Sequence, residues 1–478
     1  MRIYLTILLM VLAGGFARAG NEYVVVVSKA TMAQPEWAGV VAALEARHPG
    51  AERVVWDGQV AEVLPELSKR HPRLLAVVCR PEEADVAFVR SIHRLTRKID
   101  ADPYTDCRWG IVTGFDAANA LEMARESKPL VIRHTLSGTE IAVDRCESAI
   151  WFSELKPGLR VRKGADGKVV EETGEVDSSG EIATALEDGR TGLFITSGHA
   201  TQRDWQIGFA YRNGQWRSSQ GKLMAIDLKG AKRDIHSPHP KVYLAVGNCL
   251  MGQIDGPDAM ALACMNRAGV RQMVGYTLPT WYGYQGWGML DYFVGQPGRF
   301  TLSEAFFANQ HALVHRLETM IPEVAREDSD SPMGRIAKPI VVGAAAKAAG
   351  LTAQDANGLL FDRDVVVFYG DPAWKARMAP GRLQWEERWQ QDAAGGSLEV
   401  LPLAGEGSYA PVNTNGSQRG GRPIIRFFET QIDPATVKVT EGAEFKPVIT
   451  DDFMLVPLPA GKAPAGPIKV VFTAKLAK

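Results

Sequence analysis

A histidine and a cysteine each follow closely on an apolar run of the sequence. The run 192–196 leads into His199, and the run 241–246 leads into Cys249. A cysteine attacks carbon as its thiolate, so it needs a lowered pKa or a neighbouring base, and an imidazole can supply both. The pair therefore predicts nucleophilic catalysis, with Cys249 as the nucleophile and His199 as the base.

Two predicted strands have to position this pair. Both apolar runs are typical of buried strands, and open α/β sheets bind their ligands beyond the carboxyl ends of such strands. Gly198 and Gly247 permit a sharp turn after each run. We expect the backbone N–H groups of Cys249 and Ala200 to face the same cleft, where they would form an oxyanion hole.

The order and spacing of the pair are those of a known class of peptidases. His199 precedes Cys249 by 50 residues (249 − 199), as in caspases. The stretch 193–371 resembles the catalytic domain of gingipain-type cysteine peptidases, which belong to the caspase-like clan. The matching segments are Ser197-Gly198-His199-Ala200, Gly247-Asn248-Cys249-Leu250-Met251-Gly252, Asp258-Ala259-Met260-Ala261, Val274-Gly275-Tyr276 and Val367-Phe368-Tyr369-Gly370-Asp371-Pro372-Ala373.

Other parts of the chain extend the resemblance, and two positions depart from it. Residues 102–106, leading to 110–114, resemble the amino-terminal subdomain of the family. Ala200 stands where the family usually has glycine, and Asn248 stands where a smaller residue commonly precedes the cysteine.

The resemblance implies a fold, a reaction and a partner. The fold would be α/β, with a caspase-like parallel sheet flanked by helices in two subdomains, followed by a C-terminal immunoglobulin-like β-sandwich. The reaction would be peptide-bond hydrolysis through a thioester by a Cys-His dyad, with a protein or peptide as substrate. An alternative is a catalytically inactive caspase-like binding or cell-surface module.

Three further sets of site residues are predicted without a final choice among their members. Trp281, Tyr282 and Trp287 could wall a substrate pocket. An acid at the base of that pocket would select Arg or Lys; the candidates are Asp204, Asp255 and Asp291. A carboxylate that orients the imidazole could be any of Glu140, Asp144, Glu147 or Glu154.

The pattern along the chain predicts four parts. Residues 1–19 have a basic Arg2, an apolar run and Ala17-Arg18-Ala19, which is typical of a cleaved signal peptide. Alternating strand and helix patterns predict an N-terminal α/β subdomain over 20–150 and the catalytic subdomain over 151–382. Successive short β-prone runs predict the sandwich over 383–478.

The amino-terminal signal and the balance of charges predict where the protein is located and which partners it does not attract. The signal predicts a secreted, periplasmic or cell-surface protein, and its apolar run is shorter than the ~20 residues of a stable membrane span. With 54 basic and 55 acidic side chains, the chain has no overall field that would attract nucleic acid.

Cysteines and metal motifs give few further predictions. The five cysteines leave at least one thiol unpaired, and a bridge between Cys79 and Cys107 is one option. No metal site and no cofactor are predicted, and a structural calcium ion is compatible with the family although no motif predicts it.

Overall fold

The computed structural model describes residues 22–458 and 466–477. The predicted signal peptide lies outside the described residues. The strands of the first 380 residues are β1 (Tyr23–Ser28), β2 (Glu52–Trp56), β3 (Leu74–Val78), β4 (Arg108–Val112), β5 (Leu130–Ile132), β6 (His134–Ser137), β7 (Ser148–Phe152), β8 (Leu159–Lys163), β9 (Val169–Thr173), β10 (Thr191–Thr196), β11 (Asp204–Gln206), β12 (Gln215–Ser219), β13 (Lys222–Ile226), β14 (Lys232–Asp234), β15 (Lys241–Ala245), β16 (Val270–Tyr276), β17 (Val366–Tyr369) and β18 (Ala376–Met378).

Helices lie between these strands. They are α1 (Lys29–Met32), α2 (Pro35–Arg47), α3 (Leu64–Arg70), α4 (Val86–Thr96), α5 (Ala117–Arg125), α6 (Ser179–Glu187), α7 (Met260–Arg267), α8 (Tyr284–Phe293), α9 (Leu302–Met320), α10 (Ala344–Ala348) and α11 (Ala353–Val365). None of the helices in the described part of the chain is long and apolar enough to cross a bilayer.

One large sheet of twelve strands organises the α/β part. Its order is β2-β1-β3-β4-β17-β16-β15-β10-β6-β7-β8-β9. The strands from β2 to β17 are parallel, and so are those from β16 to β7, but β16 and β17 pair antiparallel. The sheet therefore contains two parallel halves that run in opposite directions and share one continuous ladder, and β8 and β9 add two antiparallel strands at one edge.

Burial on both faces explains why the central strands are apolar throughout. All residues of β1, β10, β15 and β16 are buried. Helices cover both faces of a parallel sheet, so its strands have no solvent face and show no polar alternation. The predicted mixed α/β class with a mostly parallel, helix-flanked sheet is confirmed.

The C-terminal part consists of two small antiparallel sheets. Its strands are β19 (Trp385–Asp392), β20 (Gly395–Pro402), β21 (Ile424–Phe427), β22 (Ile432–Glu441), β23 (Val448–Ile449), β24 (Phe453–Val456) and β25 (Ile468–Leu476). The sheets have the orders β19-β20-β25-β22 and β21-β24-β23, and one hydrophobic cluster contains buried residues from both sheets. The immunoglobulin-like topology stays a prediction.

Two details differ from the sequence-based expectations, and the segment that carries Trp287 forms the helix α8. Cys79 and Cys107 form no bridge, since all five cysteines are free. The strands β6 and β7 pair with the second half of the large sheet, although they begin before the predicted boundary at residue 150.

Candidate active site

Two neighbouring strands place His199 and Cys249 at one edge of the sheet. β10 and β15 are parallel partners, and Thr196 lies opposite Ala245. His199 follows its strand by three residues, Cys249 follows its strand by four, and both loops leave the carboxyl ends of the strands. The His199 side chain is exposed and Cys249 is half-buried, so both are within reach of solvent.

Asn248 connects the two loops. Its side-chain oxygen accepts a hydrogen bond of 2.5 Å from the Thr196 hydroxyl, and its amide nitrogen donates one of 3.0 Å to the Gly198 carbonyl. The residue is fully buried. A smaller side chain could not make these bonds, so Asn248 fixes the histidine loop relative to the cysteine loop.

The reactive groups themselves are not hydrogen-bonded to each other. The Cys249 sulfur lies 3.8 Å from the Thr280 carbonyl oxygen, to which it can donate its proton. The His199 ring instead packs edge-on against Phe209, with 5.3 Å between ring centroids. The sulfur and the imidazole therefore each face another group rather than each other in this structure.

The backbone after the cysteine has an uncommon conformation. Leu250 has a φ of +60°, in the left-handed region that residues with a side chain rarely adopt. Its N–H donates a hydrogen bond of 3.3 Å to the Leu278 carbonyl, which helps to hold this conformation. The turn points the chain away from β15 directly after Cys249.

The two predicted oxyanion donors are free to bind. Within the described residues, the N–H groups of Cys249 and Ala200 donate no hydrogen bond. Ala200 lies opposite Trp205 in an isolated β-bridge whose hydrogen bonds are made by the flanking residues, so its own N–H is not used there. That both groups face one substrate oxygen stays a prediction.

Of the four upstream carboxylates, Glu154 lies against the histidine loop. Its Oε2 atom would be 3.0 Å from a Cβ placed on Gly198, and its Oε1 accepts a hydrogen bond of 2.8 Å from Thr139. Burial raises the pKa of Glu154 to about 7. Its Oε2 makes no hydrogen bond in the described structure.

The other three upstream carboxylates are turned to solvent or to arginines. Glu140 is exposed, Asp144 pairs with Arg145, and Glu147 pairs with Arg133. Within the described residues, none of them makes a hydrogen bond or an ion pair with the histidine loop.

The three predicted pocket aromatics separate into two groups. Trp287 lies beside the site, because its indole edge would be 2.8 Å from a Cβ on Gly247. Tyr282 donates to Asp355 at the start of α11, and Trp281 packs against Phe361 on the same helix. These two contribute to a hydrophobic cluster with α9 and α11.

The three predicted pocket acids all have partners within the chain. Asp204 accepts hydrogen bonds from Thr201 and Tyr211, and Asp255 pairs with Arg203. Asp291 lies one turn after Trp287 on α8, its side chain is 9% exposed, and it pairs with two arginines of the C-terminal part, Arg419 and Arg422.

Sequence reasoning missed Phe209 and the turn that holds it. Four consecutive residues, Gly208 to Tyr211, have positive φ angles of 72°, 54°, 49° and 64°. Only the glycine among them signals such a conformation, and it gives no hint that the next residue contacts His199. The turn lies in the loop between β11 and β12, whose strands follow directly on the histidine loop.

A group of carboxylates outside this site could hold a cation. Oxygens of Asp100, Asp102 and Asp106 lie within 4.8 Å of one another. Burial, with a smaller contribution from the neighbouring carboxylates, raises the pKa of Asp106 to about 10. A cavity of about 1170 Å³ adjoins Asp100 and Asp102, and neither His199 nor Cys249 lines it.

Comparisons with known proteins found one solved structure that is similar to this chain. No protein-family model matches it, and no curated protein matches its sequence. The crystal structure of the Arg-specific cysteine proteinase gingipain R is similar over 96% of this chain and 98% of its own, with a TM-score of 0.42 and 10% identity. At that TM-score and identity, the similarity establishes no shared activity, and the function has to be inferred from this chain's own residues.

Proposed function

We propose that this protein is an exported cysteine peptidase with a caspase-like catalytic core, and that Cys249 and His199 form its dyad. The observation that carries the proposal is the placement of the two loops. They leave adjacent parallel strands at the same edge, and the buried Asn248 links them through Thr196 and Gly198. Export is proposed from the amino-terminal sequence alone.

The proposed reaction proceeds through a thioester. His199 takes the proton of the Cys249 thiol, and the thiolate attacks the carbonyl carbon of the scissile peptide bond. The N–H groups of Cys249 and Ala200 would stabilise the negative oxygen of the tetrahedral intermediate. Collapse of that intermediate breaks the C–N bond, the amine leaves with the proton from His199, and water then hydrolyses the thioester. No cofactor takes part in these steps.

Substrate binding would have to rearrange the side chains of the dyad. The imidazole packs on Phe209 and the sulfur faces Thr280, so His199 must rotate toward the thiol before proton transfer. Catalytic hydrogen bonds often shorten only when substrate is bound, so their absence from the free enzyme is compatible with activity. His199 is exposed, and rotation of its side chain breaks no hydrogen bond of its ring.

Glu154 would support the histidine loop in this reaction. The carboxyl group lies against Gly198, the residue before His199, and its pKa of about 7 means that it ionises near neutral pH. A negative charge there would favour the imidazolium that forms after proton transfer. We therefore assign Glu154 a positioning role.

The same contacts favour a second candidate function. A thiol that donates to a carbonyl, beside an imidazole that packs on an aromatic ring, is also what a non-catalytic binding module would show. Such a module would keep the fold and would not depend on Cys249 for its activity.

Cleavage of a peptide library by the protein without residues 1–19 separates the two candidates. We expect the Cys249→Ala and His199→Ala variants to lose at least about a thousandfold in kcat/KM, because the nucleophile and its base act as one unit. The matched control is Cys264→Ala, which changes a fully buried cysteine of α7. Hydrolysis that survives Cys249→Ala would contradict the proposed nucleophile, and absence of hydrolysis in the wild type and in every variant would favour the binding module.

A further inference from the structure

A segment of the C-terminal part lies on the catalytic half of the molecule. Residues 412–420, here called the strap, connect β20 to β21 but do not pair with either strand. The strap leaves the β-sheets and contacts α8, the segment before α8 and the loop that follows β6. It thus joins parts of the chain that are more than 120 residues apart in sequence.

Two contacts hold the strap on the face of α8. Gly416 lies flat against the Trp287 indole, so closely that a Cβ on Gly416 would overlap the ring. Arg419 donates a hydrogen bond of 2.8 Å to Asp291, and the N–H of Gly420 donates one of 2.9 Å to the same carboxylate. Trp287 and Asp291 are four residues apart, so they present one face of the helix, and the strap covers it.

Three hydrogen bonds join the strap to the surroundings of the dyad. Asn415 donates to the Thr139 hydroxyl at 3.0 Å and to the Glu140 carbonyl at 3.1 Å. Thr139 in turn donates to Glu154, the carboxyl group against the histidine loop. On the other side, Ser417 donates to the Tyr282 carbonyl at 2.8 Å.

The covered ring adjoins both catalytic loops. A Cβ placed on Gly247, two residues before Cys249, would lie 2.8 Å from Trp287 Nε1 and 2.6 Å from the hydroxyl of Ser197, two residues before His199. Trp287 is therefore positioned to contact the substrate side chain next to the scissile bond. With the strap in place only 6% of its surface is exposed.

The strap is loosely packed, which allows it to move as a unit. Thr414, Gly416 and Ser417 are exposed, and the strap contributes no residue to the hydrophobic cores of the described structure. A cavity of about 440 Å³ lies between residues 412–414 and the loop 140–144. Few buried apolar contacts are a property of segments that open locally, and the hydrogen bonds of Asn415 and Ser417 are at most partly buried.

We propose that the strap is an autoinhibitory element that occupies the face of Trp287 where a substrate side chain would lie, and that hydrolysis requires its displacement. This inference rests on the proposed peptidase function. The strap holds its place by the Arg419–Asp291 ion pair, by the hydrogen bonds of Asn415 and Ser417, and by the close approach of Gly416 to Trp287. Displacement exposes Trp287 and Asp291 while leaving the Thr139–Glu154 hydrogen bond intact.

Two variants displace the strap by different means. Asn415→Ala/Ser417→Ala removes the three hydrogen bonds, and Gly416→Ala introduces a methyl group that overlaps the indole. Two matched controls change the strap or the residue directly after it without touching the site. Thr414→Ala alters an exposed side chain, and Gly421→Ala adds a methyl group at a φ of +65° with nothing within 4 Å.

Three measurements on the protein without residues 1–19 test the proposal. Hydrogen exchange of residues 412–420 reports opening of the strap whether or not the protein is a peptidase. Labelling of Cys249 by two peptidyl chloromethyl ketones, with Arg or Leu next to the reactive group, reports access to the side-chain pocket. Labelling by iodoacetamide reports the thiol alone, since the other four cysteines are fully buried.

We expect both displacing variants to increase exchange, to accelerate labelling by at least one peptidyl reagent and to accelerate library hydrolysis. The increase should be roughly tenfold, because each lost hydrogen bond is worth a factor of about 2 to 12. The iodoacetamide rate and both controls should change less than about twofold.

Different outcomes would contradict the role of the strap and the proposed peptidase function. Unchanged exchange in both variants, or faster exchange while Cys249-dependent hydrolysis and peptidyl labelling stay at wild-type rates, would overturn the strap's role and leave the peptidase standing. Absence of hydrolysis and of peptidyl labelling in the wild type and in every variant would overturn the peptidase, and with it the inhibitory role.

Discussion

Glu154 is the ionisable side chain of the site whose behaviour depends most on its surroundings. It is largely buried, Thr139 donates a hydrogen bond of 2.8 Å to its Oε1, and Thr139 and Ser197 lower its pKa by less than burial raises it. Burial therefore disfavours the carboxylate and raises its pKa to about 7. In the unfolded chain the same group ionises near its ordinary pKa of about 4.5.

This difference predicts a pH-dependent effect of Glu154→Gln. The folded wild type binds the proton more tightly than the unfolded chain, so its stability falls as pH rises from about 4.5 to about 7 and then stays at the lower level. The Gln variant has no carboxyl group at this position, so its stability does not fall with pH in this way. We expect its free energy of unfolding, relative to the wild type, to increase by about 3 kcal/mol between pH 4 and pH 8.

Urea unfolding at both pH values measures the effect. Glu147→Gln serves as control, because Glu147 belongs to the same stretch of chain but has a half-exposed side chain paired with Arg133. If the free energy of unfolding of Glu154→Gln, relative to the wild type, did not rise with pH, then Glu154 would not be held neutral by burial.

At the scale of elements, the turn from Gly208 to Tyr211 carries conformational strain beside the site. A left-handed conformation costs roughly 1–2 kcal/mol for each residue with a side chain, and Phe209, Ala210 and Tyr211 all adopt it. Strain of this kind persists where the surroundings impose it, and it is common at functional sites. Here the turn holds Phe209 against the His199 ring.

Ala210→Gly should release part of this strain. The Ala210 side chain is exposed, so its removal breaks no packing. Glycine tolerates the positive φ but loses more chain entropy on folding, and we expect a net gain of about 0.5–1 kcal/mol in the free energy of unfolding. The control Ala42→Gly, at an exposed position within α2, should instead lose about 1 kcal/mol. Equal losses in both variants by urea unfolding would argue that the turn is not strained.

Some elements of the structure could be predicted from the sequence, and others could not. Strands such as β10 and β15 were predictable because burial on both faces leaves uninterrupted apolar runs, and their ends determine where His199 and Cys249 lie. Helix α8 was not predictable from the sequence. Nearly all its residues are buried, so it has no polar face, and it contains Gly286 and Gly288, which are unfavourable in a helix. The contacts of Asn415 and Gly416 with the site join segments far apart in sequence, and no local pattern records them.

For the molecule as a whole, the three-stranded sheet of the C-terminal part is buried on both faces. Along β24, Met454 and Val456 belong to the core shared by the two C-terminal sheets, whereas Phe453 and Leu455 belong to the core of the α/β part. The Phe453 ring stacks on His311 of α9 with 4.1 Å between centroids. The C-terminal sheets are thus part of the core that supports the site, which a division at residue 383 alone would not suggest.

Phe453→Ala tests whether the two parts unfold together. The substitution removes a fully buried ring from the junction and should lower the free energy of unfolding by about 3–5 kcal/mol. Because the junction belongs to both parts, far-ultraviolet circular dichroism and exposure of the buried cysteines should report one coincident transition. Leu403→Ala, at an exposed position after β20, should change stability by less than about 0.5 kcal/mol. If the C-terminal sheets unfolded first while the cysteines stayed protected, the two parts would be independent domains, and the strap could be released by unfolding of its own domain rather than by local opening.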